Sequence, residues 1–317
     1  MDPAADENLA AIIRSPSYLL AENDTEFLKR PGLRPLRLQL ELLKPEMIQV
    51  EHDITSTIVV FGGTRIVETR EAEDRLAAAR RALQDAPHDP ALVQRVQIAE
   101  RVLAKAHYYD QARELGRIVS SACQVHGRCD FVIVTGGGPG IMEAANRGAF
   151  DIGAKSIGYN VTLPMEQRPN AYITPSLCFQ FHYFAIRKMH FLMRARAMVA
   201  FPGGFGTLDE LFETVTLVQT RKMAPIPIIL FGRDYWDRLI NWPFLVEEGV
   251  IAPDDLDLLR YAETAQEAWD IIAKFNHDLI TPPREMNVNR PDVAEDALGP
   301  VPSDERSPLP PRRADEA

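Results

Sequence analysis

Between residues 57 and 276, short apolar segments alternate with longer stretches in which apolar residues recur every three or four positions. The short segments are rich in branched residues and apolar at consecutive positions, as is typical of strands that are covered on both faces. They are TIVVF (57–61), FVIVT (131–135), SIGYNV (156–161), AMVAF (197–201) and IPIILF (226–231). The periodic stretches predict helices at 139–152, 182–196, 207–221 and 264–276. The alternation predicts an α/β fold, a doubly wound parallel sheet with helices on both faces.

One segment departs from this alternation. Residues 67–106 have a strongly helical pattern that is interrupted once, at DAPHDP (85–90). In its second half an apolar stripe recurs at spacings of four and three, through Leu92, Val96, Ala99, Leu103 and Ala106. The pattern predicts a helical hairpin inserted after the first strand, which packs on the domain or on a second subunit and has no catalytic role.

The two ends of the chain carry little candidate chemistry. Residues 1–50 contain a helical pattern near RPLRLQLELLKPE (34–46) and are predicted to form an N-terminal helical extension that provides packing or an interface. Residues 282–317 are rich in proline and poor in large apolar side chains, so they are predicted to form a disordered tail. The central domain is therefore predicted to span residues 51–281.

Composition narrows the class of protein. A chain of 317 residues that is 46% hydrophobic and 25% charged is compatible with one large globular domain and its extensions. The formal net charge of −10 argues against a general nucleic-acid-binding protein, which needs a basic face. Three scattered cysteines, an acidic start and no apolar run of about 18 residues indicate a reduced, cytoplasmic setting without a membrane span.

Three predicted strands end in glycine-rich segments, namely FGGTR (61–65), VTGGGPG (134–140) and FPGGFGT (201–207). Glycine lets the backbone approach an anion closely with its N–H groups, and the helix that follows adds its positive end. Because the carboxyl ends of parallel strands meet at one edge of a sheet, these loops are expected to lie close together. The sequence therefore predicts a phosphate site there, with Gly137 and Gly138 of the second loop among its contacts.

The known nucleotide-binding patterns narrow the identity of that anion. The dinucleotide pattern G-x-G-x-x-G fails because its third glycine would fall on Ile141, and the chain has no Gly-Lys pair for a Walker motif. We therefore expect a monophosphate in a shorter cradle rather than NAD(P) or ATP.

Two interpretations of Glu210 remain open at this stage. Thr207 and Glu210 fit the T-x-x-E pattern of a capping box, in which the glutamate satisfies a backbone N–H at the start of a helix. Composition alone favours that structural role. Alternatively, Glu210 is a functional carboxylate that shares a helix face with Glu213 and Thr216 beside the phosphate loop.

The segment HYFAIRKMHFLMRARAM (182–198) is mostly apolar but carries Arg187, Lys188, Arg194 and Arg196. Its apolar neighbours predict a helix that is buried on most sides. Because buried cations need partners, a phosphate, a ribose or the acidic helix after residue 206 is expected to pair with them.

Together these motifs resemble the LOG (Lonely Guy) family, many of whose members were once labelled possible lysine decarboxylases. The resemblance rests on residues 135–148, on LPMEQRPN (163–170), on the Arg187–Lys188 pair and on PGGFGTLDE (202–210). Arg187 precedes Pro202 by fifteen positions, which is similar to the spacing in the family. The resemblance runs from about Thr57 to Phe275 and is interrupted by the insertion at 67–106.

The resemblance implies a Rossmann-like fold and a phosphoribohydrolase that releases the free base from a purine nucleoside 5′-monophosphate, either AMP or a cytokinin riboside 5′-monophosphate. It implies Arg187 and Glu210 as the catalytic pair, a homodimer or larger homo-oligomer, no cofactor and no metal. The implied substrate contacts are Glu166, Lys188, Gly204, Phe205, Gly206, Thr207, Leu208, Asp209 and Thr216. This chain differs from the cytokinin-activating members at 162–170 and in GIMEA (140–144), which makes AMP or another purine monophosphate the safer expectation.

A different class of function stays open. The same fold serves non-catalytic carriers of phosphate-bearing ligands, such as molybdenum cofactor carrier proteins. The Arg187 and Glu210 pair favours the enzyme, because a carrier has no need for it. A purely structural partner protein would leave the paired phosphate loops unexplained.

Overall fold

The chain folds around a seven-stranded sheet in which every neighbouring pair of strands is parallel. The computed structural model describes residues 2–124, 129–162 and 168–280. The strands are β1 (Thr57–Phe61), β2 (Val132–Thr135), β3 (Ser156–Val161), β4 (Cys178–Phe181), β5 (Ala195–Ala200), β6 (Ile228–Phe231) and β7 (Leu259–Ala262). The predicted α/β class is confirmed.

The spatial order of the strands is β4-β3-β2-β1-β5-β6-β7. From β1 the chain builds outwards in one direction to β4, and then returns to the opposite side of β1 to build β5, β6 and β7. β1 and β5 are therefore neighbours from which the connections leave in opposite directions. In doubly wound sheets, ligands bind outside the carboxyl ends of the strands at such a switch point.

Helices cover both faces of the sheet. Those of the N-terminal extension and the insertion are α1 (Pro3–Arg14), α2 (Thr25–Leu28), α3 (Arg34–Glu51), α4 (Thr69–Asp85) and α5 (Pro90–Ala104). Those that follow are α6 (His107–Cys123), α7 (Ile141–Phe150), α8 (Phe184–Met193), α9 (Phe205–Gln219), α10 (Arg233–Leu239), α11 (Trp242–Glu247), α12 (Ala265–Phe275) and α13 (His277–Ile280). Helices α4 and α5 form the predicted hairpin after β1, and α6 leads from it into β2.

The alternation of side chains along the strands divides the core into two layers. On β1, Val59 and Phe61 face one layer, whereas Ile58 and Val60 face the other. All five residues of β1 are buried, because helices pack on both sides of it. This burial explains why the central strands have continuous apolar sequences.

The structure corrects the expectation for the basic helix α8, which was predicted to be buried on most sides. Only His190 and Phe191 are buried on it, whereas Phe184 and Met189 are 50% and 48% exposed. The helix also ends at Met193, before Arg194, which forms an ion pair with Glu46 of α3. The N-terminal extension is therefore joined to the segment directly after α8 by an ion pair.

None of the described helices is long and apolar enough to cross a membrane. The predicted disordered tail, residues 282–317, lies outside the described residues.

Candidate active site

The loop that follows β5 leads into α9 without a cap. Gly204 is the N-cap residue, and in the part of the chain that the structure describes no side chain hydrogen-bonds to the first turn. The first intrahelical bond runs from the Leu208 N–H to the Gly204 carbonyl, so the N–H groups of Phe205, Gly206 and Thr207 precede the regular ladder. A Cβ built at Gly204 or Gly206 would have no neighbour within 4 Å. This loop therefore presents backbone donors to open space, as an anion cradle requires.

The capping-box interpretation of Glu210 is wrong. Helix α9 begins at Phe205, two residues before Thr207, so Thr207 lies inside the first turn and Glu210 lies in the second turn. Thr207 is instead buried beneath the loop, where a Cβ on Gly203 would collide with its side chain. The hydroxyl of Tyr235 donates to the Gly203 carbonyl and holds the loop from the other side. A structural role at the helix start therefore does not explain Glu210.

Glu210 is a buried carboxylate, only 5% exposed, on the inward side of α9. Burial raises its pKa from 4.5 to about 7, although the positive charges of Arg187 and Lys188 oppose this shift. A carboxyl group with a pKa near 7 is poised to exchange a proton at neutral pH. Such a perturbed group at the edge of a sheet is typical of a functional site.

Arg187 on α8 carries the charge that faces Glu210. Its Nε donates to the Tyr159 carbonyl of β3 at 2.7 Å, and its guanidinium lies 5.1 Å from the centre of the Phe191 ring. A Cβ on Gly136 would approach its Nη2 at 2.7 Å, so the guanidinium reaches the end of β2. Burial lowers the pKa of Arg187, and Glu210 partly restores it.

No ion pair joins Arg187 to Glu210, although each changes the pKa of the other. The guanidinium is fixed by a carbonyl and by aromatic rings, and the carboxylate is fixed by the helix that carries it. The two opposite charges are therefore close enough to affect each other without forming a direct ion pair. The arrangement is suited to a reaction in which positive charge develops on the ligand.

Lys188 is engaged by acidic residues of α9. Its Nζ lies 3.0 Å from Asp209 Oδ1 and 3.0 Å from Glu213 Oε2. These contacts pin α8 to α9, which fixes the distance between Arg187 and Glu210. As predicted, the acidic helix supplies partners for a cation of α8. Lys188 and Asp209 are both predicted substrate contacts, but here their side chains contact each other.

The second glycine loop is held by buried polar side chains. Gly137 has a positive φ of 72°, and a Cβ there would collide with Asn160. Asn170 donates from its backbone to the Gly137 carbonyl at 2.9 Å and from its side chain to the Gly138 carbonyl at 3.1 Å. Asn146 accepts from Asn170 at 3.0 Å. The loop is therefore rigid before any ligand binds.

The helix after this second loop is not open to an anion in the same way. The N–H of Ile141, its first residue, donates to the Gly63 carbonyl at 3.3 Å. Gly140, with a φ of 77°, has no room for a Cβ because the loop after β1 lies against it. Of the two predicted phosphate cradles, the one at α9 is therefore the more accessible.

The other predicted substrate contacts do not all lie near Arg187 and Glu210. Phe205 is 92% exposed beside the cradle, and Leu208 packs against the core. Thr216 is exposed, and its hydroxyl donates to the Phe212 carbonyl, so it does not join Arg187 and Glu210. Glu166 lies outside the described residues.

Sequence reasoning missed the residues that position the site from behind, including Tyr159, Asn146 and Asn160. Tyr159 acts through its carbonyl, for which no side-chain signal exists. Asn146 and Asn160 are buried polar residues, 0% and 8% exposed, within otherwise apolar elements. A polar residue within an otherwise apolar pattern was the sequence signal by which both asparagines could have been found. Among the described residues, no group of three His, Cys, Asp or Glu side chains is placed to hold a metal ion.

Comparison with known proteins places this site in context. Residues 142–272 match the sequence model of a family described as "Possible lysine decarboxylase". The solved structure of a Moco carrier protein from Chlamydomonas reinhardtii aligns with 18% identity and a TM-score of 0.39, over 70% of this chain and 98% of that one.

Curated relatives are plant proteins. A probable cytokinin riboside 5′-monophosphate phosphoribohydrolase of Oryza sativa subsp. japonica is 27% identical over 183 residues, which cover 54% of this chain and 78% of that protein. A cytokinin riboside 5′-monophosphate phosphoribohydrolase of Arabidopsis thaliana is 29% identical over 167 residues, which cover 51% of this chain and 73% of that protein. The resemblance predicted from the motifs is thereby confirmed, and the chain is a relative of the LOG proteins.

Proposed function

We propose that the protein hydrolyses the N-glycosidic bond of a purine nucleoside 5′-monophosphate, AMP or a cytokinin riboside 5′-monophosphate, to give the free base and ribose 5-phosphate. The observation that carries the proposal is Glu210, a buried carboxylate with a pKa of about 7 that faces Arg187 without an ion pair. Neither carrying a ligand nor capping a helix requires such a group. The plant relatives, whose names state this activity, support the same conclusion.

The chemistry follows from the charges of the site. The bond between the ribose C1′ and the base nitrogen breaks, and its electron pair leaves with the base. Positive charge develops on the ribose, as in glycoside hydrolysis, and the ionised Glu210 stabilises it. The oxygen of a water molecule then bonds to C1′ and Glu210 accepts a proton of that water, while the departing base takes up a proton from solvent. Glu210 returns its proton to solvent before the next turnover, so that one water molecule is consumed in total. Arg187 holds the ribose hydroxyls in register with Glu210 or assists the base as it departs.

The 5′-phosphate belongs at the N-terminus of α9, where backbone N–H groups face open space at Gly204 and Gly206. Glu210 lies in the second turn of the same helix, so one element binds the phosphate and directs the carboxylate towards the sugar. This arrangement also keeps the phosphate apart from the carboxylate of Glu210, because the phosphate lies at the positive N-terminal end of the helix and Glu210 lies in the second turn.

Incubation of the protein with AMP, followed by chromatography for free adenine, tests the activity. We expect adenine from AMP, and much less from adenosine, because adenosine cannot occupy the phosphate cradle. A panel of other purine and pyrimidine monophosphates then defines the base preference. If AMP binds but no base is released from any monophosphate, the proposal fails and the protein is a carrier of phosphate-bearing ligands.

We also propose that the protein is a homodimer and that α3 provides its interface. Five apolar residues on α3 recur at spacings of four and three and are 39–62% exposed, namely Leu36, Leu40, Leu43, Met47 and Val50. This is the a and d pattern of a helix that packs against a second helix. The opposite side of α3 is already used, since Pro45 and Gln49 are buried against the domain. Light scattering at micromolar concentration is expected to give a dimeric mass, and Leu43→Glu a monomeric one; a monomeric wild type would contradict the proposal.

A further inference from the structure

A cavity of about 440 Å³ lies at the carboxyl edge of the sheet, between the inserted helix α5 and two of the glycine loops. Residues 63–66 after β1 and residues 202–204 after β5 line it on the sheet side. Helix α5 lines it with Ile98, Arg101 and Val102, and Lys105, the residue directly after the helix, lines it as well. The cavity is therefore at the switch point between β1 and β5, and about a third of its lining residues come from the insertion.

The charge of the cavity is opposite to that of the whole chain. Of the described residues that line it, Arg65, Arg101 and Lys105 are basic and none is acidic, although the chain has a formal net charge of −10. Among the described residues, none of these three side chains forms an ion pair or a hydrogen bond. Elsewhere the hairpin does pair its charges, since Arg80 of α4 lies 2.9 Å from Glu100 of α5. The cations that line the cavity thus lack the partners that others on the hairpin have.

The same cavity includes the loop before α9. Gly203 and Gly204 line it directly, and Gly204 is the uncapped N-cap residue with open space in place of a side chain. Three unpaired cations therefore share a cavity with the N-cap residue of α9, at the positive end of that helix. Both features are known binding devices for phosphate, and here they come from independent parts of the chain.

We propose that the insertion completes the phosphate site: Arg101 of α5 and Lys105, directly after that helix, bind the 5′-phosphate of the ligand that the α9 loop holds. They are specificity-determining residues, because they add binding energy only for ligands that carry the phosphate. The identity of the ligand as a ribose 5-phosphate ester rests on the proposed function, whereas the anion site rests on the cavity alone. This assigns the hairpin, predicted only to pack, a role in binding.

Calorimetry on the full chain, with ribose 5-phosphate as the titrant and ribose as its uncharged counterpart, tests the proposal. The double variant Arg101→Gln/Lys105→Gln removes both charges and keeps side chains that are compatible with a helix. We expect its Kd for ribose 5-phosphate to rise about tenfold or more, since the loss of one charge-assisted hydrogen bond already corresponds to about a factor of ten. Each single variant is expected to show a smaller loss in the same direction.

Arg95→Gln is the matched control. Arg95 is exposed on the same helix, is not part of the cavity wall, and its substitution changes the net charge by the same amount as each single variant. We expect its Kd to stay at the wild-type value. An equal loss in Arg95→Gln would overturn the proposal in favour of a general effect of charge, and unchanged binding by the folded double variant would overturn it outright.

The two proposals fail in different ways. Absence of base release from AMP removes the hydrolase but leaves ribose 5-phosphate binding and its loss in the double variant intact. Conversely, hydrolysis of AMP by the double variant with the wild-type KM removes the role of α5 and leaves the hydrolase. If the role of α5 is correct, the double variant raises the KM for AMP and changes kcat little.

Discussion

Replacement of Glu210 by glutamine distinguishes a catalytic role from a structural one. A catalytic role predicts slower base release and a higher melting temperature, whereas a structural role predicts normal base release and a lower melting temperature. Glutamine keeps the shape of the side chain and removes its charge. If the carboxylate stabilises positive charge on the ribose, base release from AMP is expected to fall by about 10²–10³-fold, as when one electrostatic stabiliser is lost. The variant is expected to bind AMP at least as tightly, since a negative charge near the phosphate has been removed.

The effect on stability follows from the pKa of Glu210. Folding raises this pKa from 4.5 to about 7, so the folded state binds the proton more tightly than the unfolded state does. The contribution of Glu210 to the free energy of unfolding is therefore largest below about pH 4.5 and falls as the pH rises towards 7. A shift from 4.5 to about 7, at about 1.4 kcal/mol per pH unit, gives a cost of about 3 kcal/mol for the ionised carboxylate at pH 8.

Glu210→Gln removes that cost, so at pH 8 the variant is expected to melt several degrees higher than the wild type. The difference is expected to vanish near pH 4.5, where the wild-type carboxyl is protonated. Calorimetric melting at both pH values and chromatography of released adenine measure the two effects. Glu267→Gln is the matched control, because Glu267 does form a capping box, with Thr264 on α12, and glutamine also fills that position. A Glu210→Gln variant that cleaves AMP normally, or that melts lower at pH 8, would refute the reasoning.

Three further results are expected. Gly204→Val is expected to melt as the wild type does, since its Cβ meets nothing within 4 Å, but to bind AMP more weakly in calorimetry; unchanged affinity would remove the cradle from the account. Arg187→Ala is expected to lose as much base release as Glu210→Gln. A variant that combines Arg187→Ala with Glu210→Gln is expected to lose little more, because the effects of residues that act as a unit are not additive. Losses that multiply in the combined variant would show that the two residues act independently. Base release by the wild type is expected to increase as the pH rises through about 7 and Glu210 ionises, and a flat profile through this range would contradict that assignment.

The central strands could be predicted from the sequence and the edge strands could not, for a physical reason. β1 and β6 are buried along their whole length, so their sequences are continuously apolar. β4 and β7 lie at the edges of the sheet, and each contains an exposed polar residue, Gln180 and Arg260. Their four-residue patterns carry too little apolar signal to be distinguished from loops.

The glycine loops indicated the edge of the sheet at which a ligand would bind, whereas the roles of Arg187 and Glu210 came from the resemblance to a known family and stay a prediction. Parallel strands bring the ends of distant segments to one edge, so the location followed once the topology was predicted. The capping-box alternative for Glu210 could not be excluded from the sequence, because T-x-x-E does not show where the helix begins, and here the helix begins before Thr207. The exposure of α8 was predicted wrongly, because composition does not show which side of a helix a neighbour covers.

The contribution of Arg101 and Lys105 lay beyond the sequence. Their place at the cavity depends on how the α4–α5 hairpin folds back over the end of β1, and no periodic pattern records that packing. On the sequence alone they are two of 35 basic residues in an acidic chain.

A single-turnover experiment with the wild-type protein in excess over AMP tests the central claim most directly. All AMP is then bound, so the fate of each molecule is read after the reaction is quenched. The account predicts that AMP disappears and that adenine and ribose 5-phosphate appear in equal amounts. Recovery of intact AMP from the protein, with neither product formed, would contradict it.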